Sequence, residues 1–344
     1  MRNGLFFLFL VFSCISLTVP AKGEPLSKVF QRVNPSVVLI LTRERGYATM
    51  IRGEGVATQG LASGVVISKD GLIMTAAHVV QVADEVNVSF ADGAMVSAKV
   101  VNSAPQADVA LLKLERQPSN LVVAHLGDSN KVHIGDRVFV VGAPYGMEHT
   151  LTVGYLSGRR RPPGACPGLL PIEFLQTDAA INRGNSGGPM FNMDGEVIAI
   201  VSRILTQSGG SEGLGFAVSI NTARELLLEQ KSFWSGLQFY LVSGPLAKAL
   251  NVPQEAGLLI QRVATDSPGY RLGLQPGNIP VRLGNEKLLL GGDIILEVQG
   301  IAVSTDEQTG CEIRQRIGGL SRFEVKVLRA GKILRLSTTI RGRQ

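Results

Sequence analysis

INRGNSGGPM, residues 181–190, decides how the rest of the chain is read. Three glycines, two asparagines and a serine ordinarily mark a turn between strands. Yet Gly184-Asn185-Ser186-Gly187-Gly188 also fits G-x-S-x-G, the pattern of an exposed nucleophilic serine at a strand-to-helix elbow. Ser186 is therefore a turn residue, the nucleophile of an α/β-hydrolase, or the nucleophile of another fold. A serine hydroxyl is a weak nucleophile that needs a neighbouring base, itself oriented by a third group. The remainder of the sequence has to supply both.

There are four histidines, at 78, 125, 133 and 149. His78 ends the strand-like LIMTA and sits in Thr75-Ala76-Ala77-His78, where small neighbours leave its ring room. His125, His133 and His149 lack such a setting and are read as surface or packing residues. The carboxylate candidate is Asp108, at the head of DVALLKL. A partly buried aspartate needs a hydrogen-bonding partner, which an imidazole N–H would supply; the alternative is an aspartate that only caps a turn after Pro105-Gln106. Chain order separates the enzyme classes. An α/β-hydrolase runs Ser, Asp, His and follows its serine with a helix. Here the order is His78, Asp108, Ser186, and Gly187-Gly188-Pro189 leads into a strand hairpin. The order matches that of the two-barrel serine proteases, and the G-x-S-x-G match is accidental.

The surroundings agree. Short Val- and Ile-rich runs such as SVVLILT, SGVVIS, DVALLKL, RVFVVGAP and GEVIAIVSRI recur from Ser36 onward, with Asp92-Gly93 and Asp194-Gly195 as hairpin signals. NTARELLLEQK predicts a helix over 221–231 with Asn221 as N-cap, and a β-barrel or sandwich domain closes there. After Lys231 a second set of strands with one or two short helices forms a compact unit. The boundaries are 1–23, 24–231 and 232–344.

Residues 1–23 read as a secretory signal peptide: Arg2, then the 16 apolar residues Gly4 to Val19, then Val19-Pro20-Ala21. An uncleaved anchor, or lipidation of Cys14, would be the only route to a membrane. Removing Arg2 and Lys22 lowers the net charge from +6 to +4, which gives no indication of nucleic acid. Arg159-Arg160-Arg161 reads as a solvated loop. Cys166 and Cys311 read as unrelated free thiols, with a bridge between them as the alternative, and no metal-ligand spacing is present. No cofactor is expected.

TAAHVV, DVALLKL and QTDAAINRGNSGGPMFNMDGEVIAI resemble the corresponding motifs of the HtrA/Deg family of trypsin-like serine proteases, nearly without gaps from Ser63 to Ala223. The second unit resembles a PDZ domain. The resemblance implies a mainly β chain: a two-β-barrel trypsin-like protease domain followed by an α+β PDZ domain. It implies a triad of Ser186, His78 and Asp108, and an oxyanion hole from the backbone N–H groups of Gly184 and Ser186. Ile181 would line the S1 pocket and favour cleavage after small or medium aliphatic residues, since Asp178 belongs to the family motif and does not read as a base for Lys or Arg. The strand through Val201, Ser202 and Arg203 would pair with substrate. Trp234-Ser235-Gly236-Leu237 would form the carboxylate loop for peptide C-termini; NIPVRLGNEKLLLGG departs from the PDZ pattern as an insertion. The resemblance further implies an exported, periplasmic, ATP-independent endopeptidase acting on unfolded or damaged proteins, and a homotrimer built through PLSKVFQRVNPS with Phe30 as a contact. Asn185 replaces the aspartate that digestive relatives use to capture a new N-terminus. Loop ordering takes over that role, and Ser208–Gly213 reads either as a mobile loop near the site or as an ordinary hairpin tip. A peptide-binding chaperone-like or regulatory protein with low resting proteolysis is the alternative.

Overall fold

A computed structural model of the protein describes residues 24–44, 58–143, 147, 149–162, 172–230, 234–317 and 322–339. The expected leader, Cys14 and Cys166 lie outside the described residues. Among the described residues no helix is long and apolar enough to cross a membrane.

Two barrels follow a short helix, α1 (Leu26–Val33). The first contains β1 (Val37–Glu44), β2 (Thr58–Val66), β3 (Leu72–Thr75), β4 (Glu85–Ser89), β5 (Met95–Ala104) and β6 (Val109–Leu114), closed in the order β1-β2-β3-β6-β5-β4. Sequence alternation builds it. In β5 the residues Met95, Ser97 and Lys99 face out, while Val96 and Ala98 are buried. β1 is apolar on both faces because both are covered: Val38 and Ile40 fill the barrel, whereas Val37 joins the core between the barrels.

The second barrel uses β7 (His125–Leu126), β8 (Arg137–Gly142), β9 (Thr150–Arg160), β10 (Phe174–Thr177), β11 (Pro189–Asn192), β12 (Glu196–Ile204) and β13 (Gly215–Ser219). β11 pairs with both β8 and β12, which closes the ring β11-β8-β9-β10-β13-β12, and β7 extends it from β12. Phe139 on β8 and Phe191 on β11 stack at 5.1 Å between centroids, a pairing that contributes about 1 kcal/mol beyond burial. Val65, Met74 and Leu111 of the first barrel meet Phe139, Ile200 and Val218 of the second in one buried cluster. The candidate site lies along this seam.

Three expectations are corrected here. The helix after β13, α3, runs from Ile220 to Arg224 and continues as a π-helical turn over Glu225–Glu229, and its N-cap is Ser219, whose side chain accepts from the Thr222 N–H. Asn221 instead donates from its amide to Asp128 at 2.7 Å. The basic cluster is not a solvated loop. Arg159 and Arg161 both pair with the buried Glu173, at 2.7 and 3.0 Å, and Arg160 donates to Gln176. Burial alone would raise the Glu173 pKa, but the two guanidinium groups outweigh it and hold the carboxyl below its ordinary value. Finally, Cys311 is disulfide-bonded, not a free thiol.

The remaining strands form a separate sheet: β14 (Leu237–Ser243), β15 (Ala256–Val263), β18 (Ile294–Val298), β20 (Arg322–Arg329) and β21 (Lys332–Thr339), with β19 (Ile301–Ala302) paired to β18. Helices α4 (Gly244–Ala249), α5 (Pro268–Arg271) and α6 (Glu307–Ile317) accompany it. The unexpected stretch NIPVRLGNEKLLLGG forms its own hairpin, β16 (Ile279–Leu283) with β17 (Glu286–Leu290). Gln261 on β15 anchors this hairpin by accepting from the Leu289 N–H at 2.7 Å.

Candidate active site

Pairing of β3 with β6, Thr75 opposite Ala110, brings the segments holding His78 and Asp108 together. His78 lies on a single helical turn, α2 (Ala77–Val80), immediately after β3. Asp108 does not open its strand as expected but ends the preceding turn, with a φ of 57°. Aspartate tolerates this left-handed conformation better than most residues. There its Oδ1 accepts from the His78 backbone N–H at 3.0 Å, and both carboxylate oxygens lie 2.9 Å from His78 Nδ1. Burial pulls the His78 pKa down, but the hydrogen bond and charge of Asp108 outweigh it and raise it above its ordinary value. A second partner was not anticipated. Ser202 Oγ donates to Asp108 Oδ2 at 2.6 Å across the seam.

Ser186 occupies the turn between β10 and β11, on the opposite barrel. The first barrel holds that turn through Ser63, which is fully buried on β2. Ser63 Oγ donates to the Gly184 carbonyl at 2.7 Å, and its backbone N–H donates to the Ser186 carbonyl at 2.9 Å. Glycine is required in the turn. Gly184 has a φ of 107°, and a side chain on Gly187 would collide with Thr75 Oγ1 and the Ser63 carbonyl. Neither the Gly184 N–H nor the Ser186 N–H has an acceptor among the described residues. Asn185 is buried at 1% exposure with its amide oxygen unpaired, so an aspartate here would carry an uncompensated charge.

The nucleophile and the base are neighbours without being joined. Ser186 Oγ donates to the Ser202 carbonyl at 3.5 Å, not to His78. Such contacts are commonly loose before substrate binds.

Other expected site residues fall into place unevenly. Ile181 is 2% exposed in the core of the second barrel, its tip against Gly215. Asp178 accepts from the Tyr155 N–H at 2.6 Å and so is engaged at β9. Val201 uses its carbonyl for the Gly187 N–H and its own N–H for the Gly188 carbonyl, whereas Arg203, among the described residues, pairs with Phe216 of β13 on one side only. The segment Ser208–Gly213 is knitted together by Glu212, which accepts from the Gln207 and Ser208 N–H groups and from the hydroxyls of Thr206 and Ser208. These bonds hold the Glu212 pKa at about 2.

Trp234-Ser235-Gly236-Leu237 lies away from the triad yet touches its supporting segment. The Trp234 indole donates to the Gln81 carbonyl at 2.9 Å, and the Gln81 side-chain amide donates to the Leu237 carbonyl at 3.1 Å. Gln81 Oε1 in turn accepts from Ser103 Oγ at 2.8 Å. Thr265 donates to Asp84 from both its N–H and its hydroxyl, and Arg262 pairs with Glu44. Ser63, Gln81 and the Asp108-binding role of Ser202 were missed by sequence reasoning. Their one signal is a small or amide side chain within an apolar run.

Comparison with known proteins fits this geometry. Residues 62–200 match the trypsin-like peptidase domain. A probable periplasmic serine endoprotease DegP-like of Pseudomonas fulva (strain 12-X) is 38% identical over 242 residues, 69% of this chain and 50% of the relative. One of Halomonas elongata is 37% identical over 295 residues, 84% of this chain and 58% of the relative. The HtrA-type protease AlgW, solved with a decapeptide, is 27% identical with a TM-score of 0.53, covering 92% of this chain and 98% of that one. The chain is a homologue of the HtrA/Deg serine proteases. It spans about half the length of the DegP-like relatives it matches. In this chain the two barrels supply opposite halves of the candidate site, with His78 and Asp108 from one and Ser186 and Ser202 from the other.

Proposed function

We propose that the chain is an exported serine endopeptidase that cuts unfolded or damaged proteins without ATP, in the bacterial periplasm. One observation carries the reading. The Asp108 carboxylate grips both His78 and Ser202 at the mouth of the seam where Ser186 stands. Ser186 Oγ attacks the scissile carbonyl. His78 Nε2 takes its proton and later delivers it to the leaving amine, while Asp108 fixes the Nδ1–H tautomer and stabilises the imidazolium. The free N–H groups of Gly184 and Ser186 receive the oxyanion, each donor contributing about 3 kcal/mol. Ile181 against Gly215 supports a shallow S1 pocket and cleavage after Val, Ala or Ile.

The C-terminal unit, read as a PDZ domain, captures peptide C-termini at Trp234–Leu237, the peptide extending the edge strand β14. Phe239 and Leu241 on β14 are 50% and 42% exposed, which suits an apolar partner. A regulated enzyme with low resting activity is favoured by one contact: Gln81 occupies the Leu237 carbonyl at the head of β14. Assembly as a homotrimer through the α1 segment and Phe30 belongs to the same reading.

The test incubates the full chain and Ser186→Ala with unfolded casein, with and without an apolar C-terminal peptide. Cleavage that depends on Ser186 and rises with peptide is expected. If Ser186→Ala cuts as well as the parent, or neither cuts under either condition, the reading fails.

A further inference from the structure

The open edge of β12 beside Ser186 carries one side chain that the proposed reaction does not use. Arg203 is exposed, and among the described residues it makes no ion pair. Its guanidinium carbon lies 5.1 Å from the centroid of the buried Phe174 ring. Stacking of this kind engages the guanidinium face and leaves the planar fork of N–H donors at its rim for another ligand. A cation placed so, with no carboxylate among the described residues paired to it, has room for an acidic partner.

Register tells which residue of a substrate would provide it. β11 stops pairing with β12 at Pro189 opposite Ile200, while β13 continues along the other side to Ile204. From Ser202 onward, therefore, one edge of β12 has no strand partner among the described residues. The Ser202 carbonyl lies 3.5 Å from Ser186 Oγ. A peptide whose scissile carbonyl reaches Ser186 has the residue bearing that carbonyl, P1, beside Ser202. If the peptide runs antiparallel to β12, the next residue upstream, P2, lies beside Arg203, and P3 beside Ile204. Directly opposed residues of an antiparallel pair project to the same face. The P2 side chain thus shares its side of the added strand with the guanidinium.

We propose that Arg203 makes the P2 subsite selective for aspartate or glutamate. The inference rests on the proposed endopeptidase activity. A solvent-accessible ion pair strengthened by the bidentate fork predicts a preference for acidic over neutral P2 of roughly three- to tenfold in kcat/KM. It should shrink as salt is added.

The experiment digests a mixed peptide library with the full chain, Arg203→Lys, Arg203→Ala and Arg203→Glu, and reads the residues flanking each cut by mass spectrometry at low and high salt. Each profile is a ratio within one digest, so differences in overall rate do not enter. The expected result is acidic enrichment at P2 in the parent, retained in part by Arg203→Lys, abolished by Arg203→Ala and turned to basic enrichment by Arg203→Glu. Ser186-dependent cleavage with no acidic preference at P2, with the preference at P4 instead, or with the preference intact in Arg203→Ala, overturns the subsite alone. Absence of Ser186-dependent cleavage overturns the activity and the subsite together.

Discussion

The two barrels contribute unequal halves of the candidate site. On the first, His78 and Asp108 are locked: the carboxylate takes one bond from the His78 backbone, lies within hydrogen-bond distance of the ring, and is held from behind by Ser202. On the second, Ser186 stands on a turn with fixed carbonyls but with a hydroxyl aimed at the Ser202 carbonyl. In the proposed reaction the acid–base half is finished before substrate arrives, and the nucleophile half is left to complete on binding. The difference follows from chemistry. A charged carboxylate in a seam cannot wait for partners without a desolvation cost, whereas a neutral hydroxyl can rotate among acceptors cheaply.

Removing the finished half has the largest expected effect. Asp108→Asn keeps the shape but supplies an amide where His78 Nδ1–H needs an acceptor anion, and kcat is expected to fall about 10⁴-fold, as for other triads of this kind. The same change moves the pH profile. In the parent, Asp108 raises the His78 pKa above its ordinary value, so kcat/KM climbs only as pH passes that raised value and the imidazole becomes neutral. In Asp108→Asn the residual rate should climb at lower pH. A variant whose acidic limb stays in place would show that Asp108 does not set the histidine's proton affinity.

How much of this was legible beforehand depends on how each residue announces itself. His78, Asp108 and Ser186 could be read because each is a reactive type in an otherwise unreactive strand context, and because their order excluded one fold and matched another. A β-barrel or sandwich domain was legible from the short alternating runs and the two-barrel arrangement from the order of His78, Asp108 and Ser186, but the closure of each barrel was not, since the β11–β8 and β1–β4 pairings join strands far apart in the chain. Ser63 escaped because its partner, Gly184, is 121 positions away. Ser202 was expected only as part of a strand that pairs with substrate, and nothing local in the sequence says that its hydroxyl meets Asp108. Arg159 to Arg161 were misread because Glu173 reaches them only across the β9–β10 pairing. Long-range polar contacts leave no period in a sequence, whereas apolar faces do.

Ser202 offers a sharper cut between the halves, with an intermediate effect. Ser202→Ala removes a 2.6 Å donor to a carboxylate and leaves the backbone carbonyl that faces Ser186. Loss of one hydrogen bond to a charged group predicts about a tenfold drop in kcat, with KM little changed because the strand edge remains. Ser202→Thr, which retains the hydroxyl, should recover most of the rate. A matching loss in Ser202→Thr would mean that packing at the seam, not the hydroxyl, supports Asp108.

The smallest effect is expected at the rim of the unfinished half, where Glu212 organises the loop that also meets Asn182 through the Ser211 N–H. Its pKa of about 2 comes from hydroxyl and N–H donors of Thr206, Gln207 and Ser208, with no cation involved. A depressed carboxylate pKa means that its contribution to loop order is complete above the ordinary glutamate range near 4.3 and fades as pH falls toward 2. Activity near neutrality should therefore show no step from this group. Glu212→Gln removes the anion at every pH, and the amides of Gln207 and Ser208 should exchange with solvent faster than in the parent at pH 7. That gap should narrow as the pH approaches 2, where the parent loses the same charge. Equal exchange at pH 7 would show that the loop holds its shape through Asn182 and its glycine turns without the carboxylate, and the second half of the site would then be more finished than the Ser186 hydroxyl suggests.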